Sequence, residues 1–191
     1  MSREEFYEAL ENVSASRESR LKCARLVNQN LYLLPYLIDK LFDIDAKDSY
    51  KAAWVLEFVC EGYIYAIIPY LDRFTKNIHN IHHDSAIRPV AKICSFIVQA
   101  HYAKDKNPLK KVLTPQHKKQ LIATNFDWMI NEHKVATKVF AMETLFYLGK
   151  ENPWVQAELK QIIERDFQGQ SAAYKARAKR ILQKLKKAGI S

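Results

Sequence analysis

The chain has 191 residues, 30 basic and 21 acidic, giving a formal charge of +9 with histidines neutral. That length fits one domain or two small ones, and 48% apolar with 27% charged residues excludes wholesale disorder. Four glycines and six prolines are too few for the closely spaced turns of a β-sandwich or barrel.

Helical signals then follow one another along the chain. Ser2-Arg-Glu-Glu5 is a capping box and predicts a helix to about Asn12. Ser16 caps a second helix, with Leu21, Ala24, Val27 and Cys23 recurring at three and four. Residues 33–42 form a short helix with Pro35 in its first turn, where a missing amide costs nothing. Asp48 is the expected cap of a helix over 49–61 that stops before Gly62, and 63–74 continues with Pro69 bending or dividing it. A long helix runs from Asp84 or Ser85 to about Tyr102, with Pro89 near its start. Thr114-Pro115 opens a helix to Asn131, 133–148 forms another stopped by Gly149, and Asn152-Pro153 opens one to about Asp166. Residues 171–188 form the last. No alternating strand or hairpin signal occurs, and 103–113, lysine-rich and broken by Pro108, is the expected mobile loop.

The charge is uneven. Residues 1–100 hold 12 Lys/Arg and 13 Asp/Glu, whereas 101–191 hold 18 and 8. Two segments account for the excess: 104–119, with six lysines against Asp105, and 171–191. The second carries Lys175, Arg177, Lys179, Arg180, Lys184, Lys186 and Lys187 with no acid. A basic end on a neutral body suits an anionic partner such as nucleic acid; equally, it suits a solvated terminal helix kept soluble by its lysines. From Tyr174 onward, Ala178, Ile181, Leu182 and Leu185 share one face, the pattern of a helix that caps an array.

No basic segment followed by an apolar stretch opens the chain. Its longest apolar run, 63–71, is well short of the roughly 20 residues a membrane span needs. A soluble cytoplasmic protein without a membrane partner is expected. Cys23, Cys60 and Cys94 are single and widely spaced in apolar helical patterns, which predicts buried thiols without disulfide or zinc.

A repeat underlies the helices. A basic residue precedes small and apolar ones in Lys51-Ala-Ala-Trp54, Arg88-Pro-Val-Ala91, Lys138-Val-Phe-Ala141 and Lys175-Ala-Arg-Ala178. Helix pairs repeating at about 40 residues build solenoids, because one pair cannot bury its apolar face alone. Aligning polar stripes instead sets Tyr50 opposite Arg88. The motif Asp84-Ser-Ala-Ile-Arg88-Pro-Val-Ala91 resembles HEAT and armadillo repeats, in which such a charge pairs with an acid of a neighbouring repeat. Through Ala52–Cys60, Asp84–Cys94 and Gln170–Lys179, most of the chain resembles a group of short bacterial α-solenoid proteins sometimes labelled adenylosuccinate lyase. That enzyme's mobile loop, Ser-Ser-x-Met-Pro-x-Lys-x-Asn-Pro, matches nothing here, so no lyase activity is expected. The resemblance implies an all-α right-handed solenoid of about ten helices, in four or five HEAT-like pairs, as a single domain.

Glu57 interrupts the apolar run Trp54-Val-Leu-Glu-Phe-Val-Cys60 and needs a partner if buried; Arg88 is the expected one. Tyr50, Trp54, Glu57 and Glu61 form one stripe, which with Arg88 and Lys92 is the candidate binding surface on a concave face. This aromatic–acid stripe loosely resembles the lining of HEAT-type DNA alkylation-repair glycosylases, although no motif aligns residue by residue. His79, His82, His83 and Asp84 cluster, but at the end of one helix and the cap of the next, so no metal is expected. Asp127-Trp128 and Trp154 read as core or interface positions. No cofactor or catalytic motif stands out. The sequence predicts a non-catalytic module that holds a protein partner. Nucleic-acid binding is the alternative, with Lys175, Lys179, Arg180, Lys184, Lys186 and Lys187 as contacts.

Overall fold

The computed structural model describes residues 1–187 and Gly189, and those residues are helical without a strand. The eleven α-helices among them are α1 (Arg3–Glu11), α2 (Arg17–Gln29), α3 (Leu34–Leu41), α4 (Ser49–Gly62), α5 (Leu71–Asn77), α6 (Asp84–His101), α7 (Leu109–Val112), α8 (Pro115–Ile130), α9 (Val135–Leu148), α10 (Pro153–Asp166) and α11 (Ala172–Lys187). None is long and apolar enough to cross a membrane. Ala188, the expected last residue of the final helix, lies outside the described residues. The chain divides within α6 into two compact units, Met1–Phe96 and Ile97–Ser191.

Local chemistry explains several helix starts. The Glu5 amide donates to Ser2 Oγ (3.2 Å) while Glu5 Oε2 accepts from the Ser2 amide (2.7 Å), closing the box at α1. Ser16 caps α2 through the Ser19 amide. Thr114 caps α8 with a histidine in the reciprocal place: the His117 amide donates to Thr114 Oγ1, and His117 Nδ1 accepts from the Thr114 amide. Two expected caps do not form, because their side chains are engaged elsewhere. Asp48 pairs with Lys40 at 2.8 Å, and Asn152 Nδ2 donates back to the Leu148 carbonyl. Pro69 divides its segment into a 3-10 stretch, Ile64–Tyr70, and then α5. The expected loop at 103–113 contains α7 and is tethered: Asn107 Nδ2 donates to the Ala100 carbonyl at 2.8 Å, and His101 Nδ1 lies 3.1 Å from the Leu109 carbonyl.

Each unit is organised around one helix that is apolar on nearly every side. In the first it is α4, which buries Ala52, Ala53, Val55, Leu56, Val59 and Cys60 against α2 and α3. In the second it is α9, which buries Ala141, Met142, Leu145, Phe146 and Leu148 among α8, α10 and α11.

Helices α2, α4 and α6 lie side by side and point the same way, since their contacts rise together along the chain. Arg20 meets Trp54 and Asn28 meets Val59; Trp54 meets Ser85 and Glu57 meets Arg88. The polar contacts are separated by 31 residues, and by 34 for Asp39–Arg73 and Glu143–Arg177. This interval corrects the register expected from the basic anchors: Arg88 stands opposite Glu57, not opposite Lys51 or Tyr50.

Candidate functional site

Proline chemistry positions the centre of the first unit. Pro89 sits inside α6 and has no amide to give the carbonyl four residues back, that of Ser85. The Trp54 indole N–H donates to that same carbonyl at 3.0 Å. The indole is thus fixed by a vacancy that the proline creates, and α4 is registered against α6.

Three residues further along both helices the buried acid meets its partners. Glu57 is 2% exposed. Its Oε2 accepts from Arg88 Nη2 at 2.7 Å and its Oε1 accepts from Lys92 Nζ at 2.9 Å. Lys92 also reaches Glu61 at 3.4 Å and lies 5.2 Å from the centre of the Phe96 ring. The pairing expected from the sequence therefore forms, and Lys92 extends it to a four-charge network. A carboxylate with both oxygens engaged by cations is a fixed counter-ion and not a free base.

Aromatic contacts complete the surface. Tyr50 meets Trp54 edge-on at 4.8 Å and stacks on His83 at 4.6 Å. The Arg20 guanidinium lies over both Trp54 and Phe58, and Arg17 lies over Phe58. With Arg88 and Lys92 on the two carboxylates and Arg20 over Trp54, the stripe is not the acidic surface its own helix suggested. The neutralising groups come from α2 and α6, which a reading of one helix does not include.

His83 is spoken for twice, because its Nδ1 also accepts from the Ser85 amide at 3.2 Å. His82 turns back to the Asn80 carbonyl, and His79 lies in a 3-10 turn, so the four residues make no ligand set. Among the described residues no group of His, Cys, Asp or Glu is arranged to hold a metal ion. All three thiols are buried. Burial pushes Cys23 up to about 11 and Cys60 further in the same direction, away from the thiolate a nucleophile needs.

In the second unit the basic candidates scatter around α11. Tyr174, Ala178, Ile181 and Leu185 are buried as the expected stripe, while Leu182 is half-buried. Lys175 is used locally, donating to the Gln168 carbonyl at 2.9 Å. Lys184 lies over the Phe146 ring, and Lys179, Arg180, Lys186 and Lys187 are exposed. The sequence reading left Trp154 as core or interface and did not foresee the cavity beside it. Trp128 is buried as expected, but Trp154 is 59% exposed. It borders a cavity of about 560 Å³ lined also by Lys118, Lys119, Ile122, Phe126 and Glu151. Trp154 follows Pro153 in the first turn of α10, where a side chain has no preceding turn to pack on. That placement was the one available signal.

Comparison with known proteins finds no match: no family model, no curated protein and no solved structure is significantly similar to the chain.

Proposed function

We propose that the protein is a non-catalytic helical-repeat module, a right-handed α-solenoid of HEAT-like pairs, that engages a protein partner through Tyr50, Trp54, Glu61, Arg88 and Lys92. The observation that supports this most is the parallel set α2, α4 and α6 with its regular contact interval. Side-by-side second helices are how such arrays make one continuous face. The network around Glu57 supports recognition rather than chemistry. Its cations are already committed to Glu57 or to ring faces, which leaves a fixed, half-exposed aromatic surface. Phosphate binding calls for uncommitted cations, whereas side chains of a polypeptide suit preorganised rings bordered by paired charges.

The test is a photo-crosslinking residue placed at Tyr50 or Glu61, with one on the exposed side of α1 as control. In nuclease-treated extract, the stripe positions are expected to capture the same protein and the control to capture none. Capture that vanishes with nuclease, or capture equal at the control position, overturns the reading. Fumarate release from adenylosuccinate by the pure protein, lost on substituting one of its residues, would overturn the non-catalytic part.

A further inference from the structure

The cavity beside Trp154 has three features that the stripe lacks. First, its aromatic plane is open. Phe126 backs the indole at 5.9 Å and 26° between planes, and Phe126 is itself 9% exposed. The indole thus lies offset and near-parallel to a buried ring while 59% of the residue meets solvent. Second, the cavity keeps an uncommitted cation. Lys118 is bound to Glu151 at 2.6 Å, but Lys119 is exposed with no acid beside it among the described residues. Third, the preceding segment carries more of the same charge. Lys104, Lys106, Lys110 and Lys111 are all exposed, and three of them line a shallow hollow of about 560 Å³.

From these we infer that the Trp154 cavity binds single-stranded nucleic acid, one base stacking on the indole and the adjoining phosphates lying against Lys119 and the lysines of 104–111. An open, rigidly backed ring together with free lysines is what sequence-tolerant strand binding requires, because every base has a π-face and every residue of the strand a phosphate. Duplex DNA hides its base faces within the stack and cannot use the indole. An acidic peptide satisfies the lysines but does not carry, beside each charge, a flat ring to stack on the indole. Glu151 repels a phosphate from the Lys118 side and favours its seat at Lys119. The inference stands apart from the stripe and survives if that reading fails.

The experiment is a titration of the full chain with an oligodeoxythymidylate of about 12 nucleotides at low salt, following tryptophan fluorescence and anisotropy. A duplex of equal charge and polyglutamate are the comparison ligands. Quenching with submicromolar binding is expected, weakening steeply as salt rises. Trp154→Ala should weaken binding about tenfold or more, and Trp154→Phe should restore most of it. Lys119→Gln should weaken binding a few-fold and lower the salt slope by about one. Circular dichroism should be unchanged in all three variants, since both side chains are exposed. No binding of the single strand overturns the inference. So does equal affinity for polyglutamate or duplex, or binding indifferent to Trp154→Ala. A loss in Lys184→Gln/Lys186→Gln/Lys187→Gln as large as that in Trp154→Ala also overturns it, by showing that bulk charge alone is read.

Discussion

In residues 1–96 the central helix α4 holds Glu57 against Arg88 and Lys92, and the cations nearby are committed to an acid or a ring. In residues 97–191 the central helix α9 holds Glu143 against Arg177 at 3.1 Å, but 18 basic side chains there face only 8 acids. The device is shared: an acid on the buried helix meets an arginine on a neighbouring helix, 31 residues on in one unit and 34 in the other. What differs is the remainder after pairing. The first unit ends with the cations around Glu57 committed and an ordered aromatic surface. The second ends with free lysines and one open indole. Pairing fixes register in both, while the unpaired excess leaves the second with a net positive charge.

The largest effect expected concerns what closes the second unit. Deleting residues from Ser171 onward removes Tyr174, Ala178, Ile181 and Leu185 from their contact with α9 and α10. Several buried apolar side chains at ~2–5 kcal/mol each exceed the stability of a small domain. The truncated chain should aggregate or melt well below the full one in a thermal scan. A truncated chain that melts normally would break the comparison at its root, since α9 would then need no cover.

Next come the two shared pairs. Glu57 is almost wholly buried (3% side-chain exposure), Glu143 less so (15%), and the two arginines are equally exposed. Arg88→Ala should therefore cost about 3 kcal/mol in denaturant unfolding, with Lys92 offsetting part of the loss. Arg177→Ala should cost about 1 kcal/mol. Equal losses would show that burial of the acid does not set the value of the pair.

How much of this was legible follows from the range of each signal. The caps at Ser2 and Ser16 were readable because donor and acceptor lie within four residues. So was the Glu57–Arg88 pair, since an acid within an apolar run must find a cation. The failed caps at Asp48 and Asn152 looked identical in sequence, and competitors decided them: Lys40 for one, the Leu148 carbonyl for the other. The Trp54–Ser85 bond was readable in principle, because Pro89 announces an orphan carbonyl, though not which donor would fill it. Exposure of Trp154 was hinted at only by its place after Pro153, and neutralisation of the stripe was not readable. Both depend on neighbouring helices, and periodicity within one helix carries no record of them.

A pH difference between the units is smaller. In the second unit, burial and then Asp166 push the Tyr174 phenol up to about 12. A raised folded-state value favours the protonated form in the fold. That contribution is intact below pH ~10 and lost as pH rises towards ~12. Denaturant unfolding should thus weaken by roughly 1 kcal/mol between neutral pH and pH ~11, and Tyr174→Phe should remove part of that fall. An identical alkaline profile in the variant would mean that other tyrosines carry the effect. Tyr102 and Tyr147, also raised by burial, are the nearest rivals.

The smallest expected effect is the most informative about the basic excess. Lys184, Lys186 and Lys187 project from α11 into solvent, and of the three only Lys184 has a described contact, over the Phe146 ring. Exposed charges are worth under ~1 kcal/mol each, and removing like charges from a unit with net +10 relieves repulsion. The two effects oppose one another, so Lys184→Gln/Lys186→Gln/Lys187→Gln should melt within a degree or two of the parent. The apolar face of α11 would be untouched, so the helix should still close the unit. A large loss of stability would show that these lysines hold the helix in place and are not surplus. An unchanged melt with salt-dependent anion binding reduced in proportion to the lost charge would place all of their value outside the fold.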